Sequence, residues 1–120
     1  PNGNILFCHL NGVKEVTRKN EVVWEYNAPE KVECHAAQPL PDGRVLLTEC
    51  GTSRILELDK GKVVKEIKLI TKTTNAHNQF RGTRKLANGN YVVCFKGDNK
   101  VVELDGEGKV VREIPVADKC

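Results

Sequence analysis

At 120 residues the chain has room for a single domain's worth of core. Its 19 basic and 16 acidic residues leave a formal charge of +3, too small and too scattered to imply nucleic acid or an anionic membrane as a partner. No apolar run approaches a membrane span, and the apolar positions are mostly valine, leucine and isoleucine, which suit pleated sheet.

The chain opens Pro1-Asn2-Gly3-Asn4-Ile5-Leu6-Phe7-Cys8, an Asn-Gly turn signal followed by a short apolar run. It has neither an initiator methionine nor a charged-then-apolar leader, which predicts a processed or cut N-terminus. Two further short runs follow at 13–16 and 20–26. Residues 34–40 then lead into a second copy of the opening, Pro41-Asp42-Gly43-Arg44-Val45-Leu46-Leu47-Thr48, continued by 54–59 and 61–67. Residues 78–86 lead into a third, Ala87-Asn88-Gly89-Asn90-Tyr91-Val92-Val93-Cys94, continued by 100–105 and 108–114. Gly3, Gly43 and Gly89 lie 40 and 46 residues apart, the period of a four-stranded propeller blade.

The runs are too short for ordinary helices and are apolar on both faces near the start of each copy, so both faces must be covered. Blades stacked about an axis provide that cover. The predicted fold is therefore all-β, with three four-stranded antiparallel blades at about 1–33, 34–78 and 79–120. The first lacks its inner strand, leaving eleven strands. Small residues (Ala36, Ala37, Gly82, Thr83) mark the inner strands, and charge on 62–68 and 109–114 marks the outer edges. Glu57 and Glu103 alternate with apolar neighbours and are predicted to reach solvent or a partner. Rings usually need about four to eight blades, so further blades are expected from a longer chain or from a second copy, truncation being the simpler account.

Five cysteines occur without Cys-x-x-Cys spacing. Cys8 and Cys94 hold equivalent places in apolar strands and are read as small buried hydrophobes. No metal site is predicted. Asp42, Asp98 and Asp105 are read as turn formers without calcium-loop spacing, and Lys60, Lys62, Lys65 and Lys68 as a solvated edge.

Two corners, Leu40-Pro41-Asp42-Gly43-Arg44-Val45-Leu46 and Leu86-Ala87-Asn88-Gly89-Asn90-Tyr91-Val92, resemble the leucine–proline–asparagine–glycine–asparagine corner of quinoprotein-like (PQQ-repeat-like) propellers. Gly61-Lys62-Val63-Val64 and Asn20-Glu21-Val22-Val23-Trp24-Glu25 resemble the closing strand of the same repeats. The resemblance covers nearly the whole chain and implies a propeller, while such repeats serve enzymes and binding scaffolds alike. It also implies a periplasmic or extracellular location, since relatives are often exported. There is no vicinal cysteine pair and few aromatics to sandwich a quinone, so no cofactor is expected. The aryl-sulfate sulfotransferase branch resembles the chain more closely and implies histidine and arginine on the innermost strands, with a histidine nucleophile.

His35, Gln38, Arg81 and Arg84 fall on the expected inner strands, with His35 matching Arg81 and Gln38 matching Arg84. Their spacing of three requires a bulge if both members are to share a face. His77 precedes the second inner strand at the expected channel mouth. Together these residues predict a cationic axial rim suited to sulfate or a carboxylate, with His35 or His77 as nucleophile and Arg81 and Arg84 neutralising oxygens in the enzymatic case. Polar side chains in a water-filled channel account for the same pattern without catalysis. His9 is read as a surface or interblade hydrogen-bonding residue, and Trp24 and Tyr26 as packing between blades. The resulting expectation is a non-catalytic propeller scaffold binding a small molecule, glycan or protein at its axial face. A sulfotransferase-like enzyme is the alternative.

Overall fold

The computed structural model describes residues 3–117. Among them are eleven strands: β1 (Ile5–His9), β2 (Gly12–Val16), β3 (Val22–Asn27), β4 (Glu33–Pro39), β5 (Val45–Cys50), β6 (Arg54–Asp59), β7 (Lys62–Lys68), β8 (Phe80–Lys85), β9 (Tyr91–Phe95), β10 (Lys100–Leu104) and β11 (Val110–Pro115). They form one three-stranded sheet, β1-β2-β3, and two four-stranded sheets, β4-β5-β6-β7 and β8-β9-β10-β11. Every neighbouring pair is antiparallel. The first sheet lacks an inner strand, as predicted. The sheets pack face to face, with β4 lying against both β1 and β8.

The repeated opening folds the same way each time it is described. In the second and third copies the turn closes with Gly43 N–H donating to the Leu40 carbonyl and Gly89 N–H to that of Leu86, both at 3.0 Å. Asp42 and Asn88 each accept from the backbone N–H two residues on, again at 3.0 Å. Gly43 and Gly89 have φ of 88° and 89°, a left-handed conformation that glycine adopts without a Cβ clash. A register shift recurs between the third and fourth strands of every repeat, at Glu15/Val16, Glu57/Leu58 and Glu103/Leu104.

Period-two alternation divides the core into two clusters, one on each side of the middle sheet. Val45, Leu47, Leu56 and Leu58 face the first sheet and meet Val13, Leu6, Trp24 and Tyr26. Leu46, Cys50, Ile55 and Ile67 face the third and meet Phe80, Tyr91, Val93 and Val102. All of β5 is buried, while β11 is exposed along its whole length. Exposure thus rises from the second strand of each four-stranded sheet to the fourth.

Two expectations need correction. Glu57 does not reach solvent: it is 1% exposed, because the next sheet presents it with the Tyr91 hydroxyl and the Lys85 ammonium. Cys94 is disulfide-bonded rather than a simple apolar filler, whereas Cys8, Cys34 and Cys50 are free. Cys120 and the opening Pro1-Asn2 lie outside the described residues. Tyr26 does pack between sheets, its hydroxyl donating to Glu49. Asp42 and Asp105 do close turns. Asp98 goes further, accepting from Thr71 and Thr73 hydroxyls at 2.9 and 2.8 Å and so anchoring the segment before β8.

Candidate functional site

Strands β4 and β8 run side by side and begin at the same end of the molecule. Glu33 and His35 stand two residues apart on β4, which directs both side chains to one face. His77 arrives from a single 3-10 turn, Ala76–Asn78, capped by the Asn75 side chain accepting from His77 N–H at 2.9 Å. Glu33 Oε2 accepts from His35 Nε2 at 3.0 Å and from His77 Nδ1 at 3.1 Å. The two imidazole rings meet edge to face, with centroids 5.9 Å apart. Arg81, at the start of β8, donates to the carbonyls of Phe80 and His77 at 2.7 and 2.5 Å and so ties the turn to the strand.

Buried contacts hold this arrangement from beneath. Gln79 accepts from Gly51 N–H at 2.7 Å and from the Ser53 hydroxyl at 3.2 Å, and donates to the Thr73 carbonyl at 2.8 Å. Gly51 has φ of 100°, and a Cβ there would lie 2.8 Å from the Lys31 carbonyl. Only glycine lets the β5–β6 turn come this close to the segment leading into β4.

The electrostatics follow from the geometry. Partial burial raises the Glu33 carboxyl's pKa, but the hydrogen bonds from His77 and His35 outweigh it and hold the group below its ordinary value. Burial, reinforced by the Arg81 charge, lowers the His35 pKa against the opposing pull of Glu33. The resting site thus pairs a carboxylate with an imidazole biased towards neutrality.

Of the residues singled out in the sequence, His35, His77 and Arg81 come together here. Gln38 and Arg84 do not: they sit towards the other ends of β4 and β8, Gln38 being roughly 16 Å along the strand from Glu33. Gln38 accepts from Lys85 N–H at 3.2 Å and so bridges the sheets, while Arg84 is exposed. Register shifts do interrupt both strands between the members of each pair, at Cys34/Ala37 and Arg81/Thr83. Glu33 was missed, although its i, i+2 relation to His35 was a readable signal. Among the described residues, Glu33, His35 and His77 are the one group whose donor atoms could hold a metal ion, all lying within 4.8 Å of one another.

A separate concavity, of about 560 Å³, opens between the first and second sheets and is lined by Leu6, Glu15, Trp24, Ala37, Arg44 and Val45 among others. No described helix is long and apolar enough to cross a bilayer.

No family pattern matches the chain, and no curated protein does. Solved structures do. A protein of unknown function from Bacteroides caccae is 34% identical over 98% of this chain and 43% of its own, with a TM-score of 0.88. A catalytically inactive virginiamycin B lyase from Staphylococcus aureus, solved with quinupristin, is 21% identical over 98% of this chain and 39% of its own, with a TM-score of 0.73. The WD40 β-propeller domain of Doa1 is 15% identical over 99% of this chain and 38% of its own, with a TM-score of 0.76. The fold is that of β-propeller blades, and the chain spans about two-fifths of the length of these structures.

Proposed function

We propose that the chain is part of a quinoprotein-like propeller scaffold that binds a ligand, without transforming it, at the end where its innermost strands begin. One observation carries this reading: two blades deliver Glu33, His35, His77 and Arg81 to a single rim. An anionic carboxylate beside two imidazoles and a guanidinium offers both acceptors and donors, which suits a small polar molecule or glycan bearing hydroxyl and carboxylate groups. Calorimetric titration with uronic-acid glycans, aryl sulfates and simple carboxylates tests it. Saturable binding that weakens in Glu33→Gln and Arg81→Ala supports the reading. Robust turnover of any of these compounds, or no binding at all, overturns it.

The sulfotransferase-like alternative is favoured by the Glu33–His35 pair, because a carboxylate held 3.0 Å from Nε2 orients the ring and leaves Nδ1 for attack. Arg81 would then neutralise the sulfuryl oxygens without help from Arg84. Transfer from a chromogenic aryl sulfate, abolished in a His35→Ala, His77→Ala double variant, is the expected result for this mechanism. Full activity in that variant removes it.

Further blades complete the ring in this proposal, beyond the segments expected at 1–33, 34–78 and 79–120. Ile67 is 5% exposed beneath the third sheet, whereas its repeat equivalent Ile114 is 45% exposed. Ile5, equivalent to the buried Val45, is likewise uncovered, and His9 Nε2 is buried without a partner on that same face. Solution mass and oligomeric state decide between a longer chain and a second copy as the source. The resemblance to exported proteins and the disulfide at Cys94 support an oxidising, extracytoplasmic compartment, which cell fractionation tests.

A further inference from the structure

The geometry points to a divalent metal ion of the zinc class, held at the rim by Glu33 Oε2, His35 Nε2 and His77 Nδ1. This deepens the ligand-binding reading by naming an ion at the same rim. Two donors about 2.05 Å from a tetrahedral metal stand about 3.3 Å apart. The carboxylate oxygen already lies 3.0 Å from one imidazole nitrogen and 3.1 Å from the other. All three atoms fall within 4.8 Å of one another, so closing the set asks for small movements only. His77 supplies them, because it is 64% exposed on a single turn while Glu33 and His35 are fixed on β4.

The donor chemistry chooses the ion. Two imidazoles and one carboxylate suit zinc, cobalt or nickel better than the all-oxygen cages preferred by magnesium and calcium. Without an ion between them the carboxylate can only accept, so each imidazole presents an N–H to it. Binding requires each ring to carry its proton on the other nitrogen instead: Nδ1 for His35 and Nε2 for His77. Three protein donors leave a fourth position open at the rim, where an external ligand's oxygen could bind. Arg81 is near enough to His35 for its charge to act on that ring, with two of its nitrogens engaged by the carbonyls of Phe80 and His77. It is placed to discourage further cations and to attract an anionic group of the ligand.

The test uses metal alone on the full chain. Cobalt titration should give saturable visible bands with a stoichiometry of one per chain, displaced by zinc. Glu33→Gln, His35→Ala and His77→Ala should each weaken binding by at least about tenfold, the lower end of the scale seen even for outer partners of metal ligands. His9→Ala should leave it unchanged. Because His77 is exposed, its substitution spares the core, and imidazole nitrogen NMR provides a second readout on the unaltered chain. Zinc should shift His35 and His77 signals and leave those of His9 in place. Equal affinity in a variant combining Glu33→Gln, His35→Ala and His77→Ala, absence of saturable binding, or shifts confined to His9 would overturn the metal site. Glycan or carboxylate binding that persists in chelator would leave the broader ligand reading intact while removing the ion. Metal binding without any organic ligand would do the reverse.

Discussion

Between the second and third sheets, the buried Glu57 accepts from the Tyr91 hydroxyl, from Lys85 Nζ at 2.7 Å and from Arg44 at 3.4 Å. Between the first and second sheets, the residue at the same repeat position is Glu15. It accepts from Asn4 at 3.2 Å and lines the open cleft of about 560 Å³. Val45 and Pro39 stand where the third repeat has Tyr91 and Lys85, and neither side chain can donate a hydrogen bond to Glu15. That seam is locked elsewhere, by Tyr26 and Arg54 on the fully buried Glu49, with the Thr52 hydroxyl at 2.8 Å. One repeated sheet can therefore seal either neighbour with a buried carboxylate, and the difference lies in which face carries the seal.

Removing the cation from a seal should have the largest effect. Lys85→Met takes the nearer cation from a carboxylate that is 1% exposed, leaving it Arg44 at 3.4 Å, and Arg54→Met takes away the guanidinium that donates to the buried Glu49. Each should cost about 3 kcal/mol of unfolding free energy by urea titration. If one seam lost far less, the two would not be equivalent seals.

Acid probes the same pair. Burial raises the Glu57 pKa, but the Lys85 and Tyr91 hydrogen bonds outweigh it and hold the folded value below the ordinary 4.5. The stability that Glu57 contributes is therefore complete above pH 4.5 and is lost as pH falls through the lowered folded value. Acid titration of unfolding should show this loss in the wild type and a smaller one in Lys85→Met.

Tyr91→Phe and Tyr26→Phe each delete one hydroxyl donor while keeping the ring, and should cost about 1–2 kcal/mol by the same assay. The smallest change is expected at the open seam. Glu15→Ala should stay within about 0.5 kcal/mol, as at positions without a buried network. A larger loss would mean that the cleft is more tightly coupled than its contacts suggest.

Much of this architecture could be read from residue order. Turn glycines, apolar runs and their period specified eleven strands, the missing inner strand and the charged outer edges. Alternation alone could not reveal where Glu57 points, because a lone acid in an apolar strand looks the same whether it faces water or a tyrosine 34 residues on. The rim was half visible. His35, His77 and Arg81 were marked by type and by nearness to the inner strands, but Glu33 lies 44 residues from His77, and their meeting depends on how adjacent sheets dock. Gln38 and Arg84 were grouped with the rim because a repeat alignment gives correspondence between strands, not position along them.

Asn4 with Glu15, Arg44 with Glu57 and Asn90 with Glu103 make the same short bracket within each repeat, yet only Glu57 is also gripped by a following neighbour. Near-identical modules risk exchanging places as they assemble. Here an exchange would leave an interior acid without its tyrosine and lysine, a penalty that discriminates against wrong pairings. The succession of modules is thus written into their chemistry as well as into their linkage, and a shuffled chain should refold less faithfully than its composition alone would suggest.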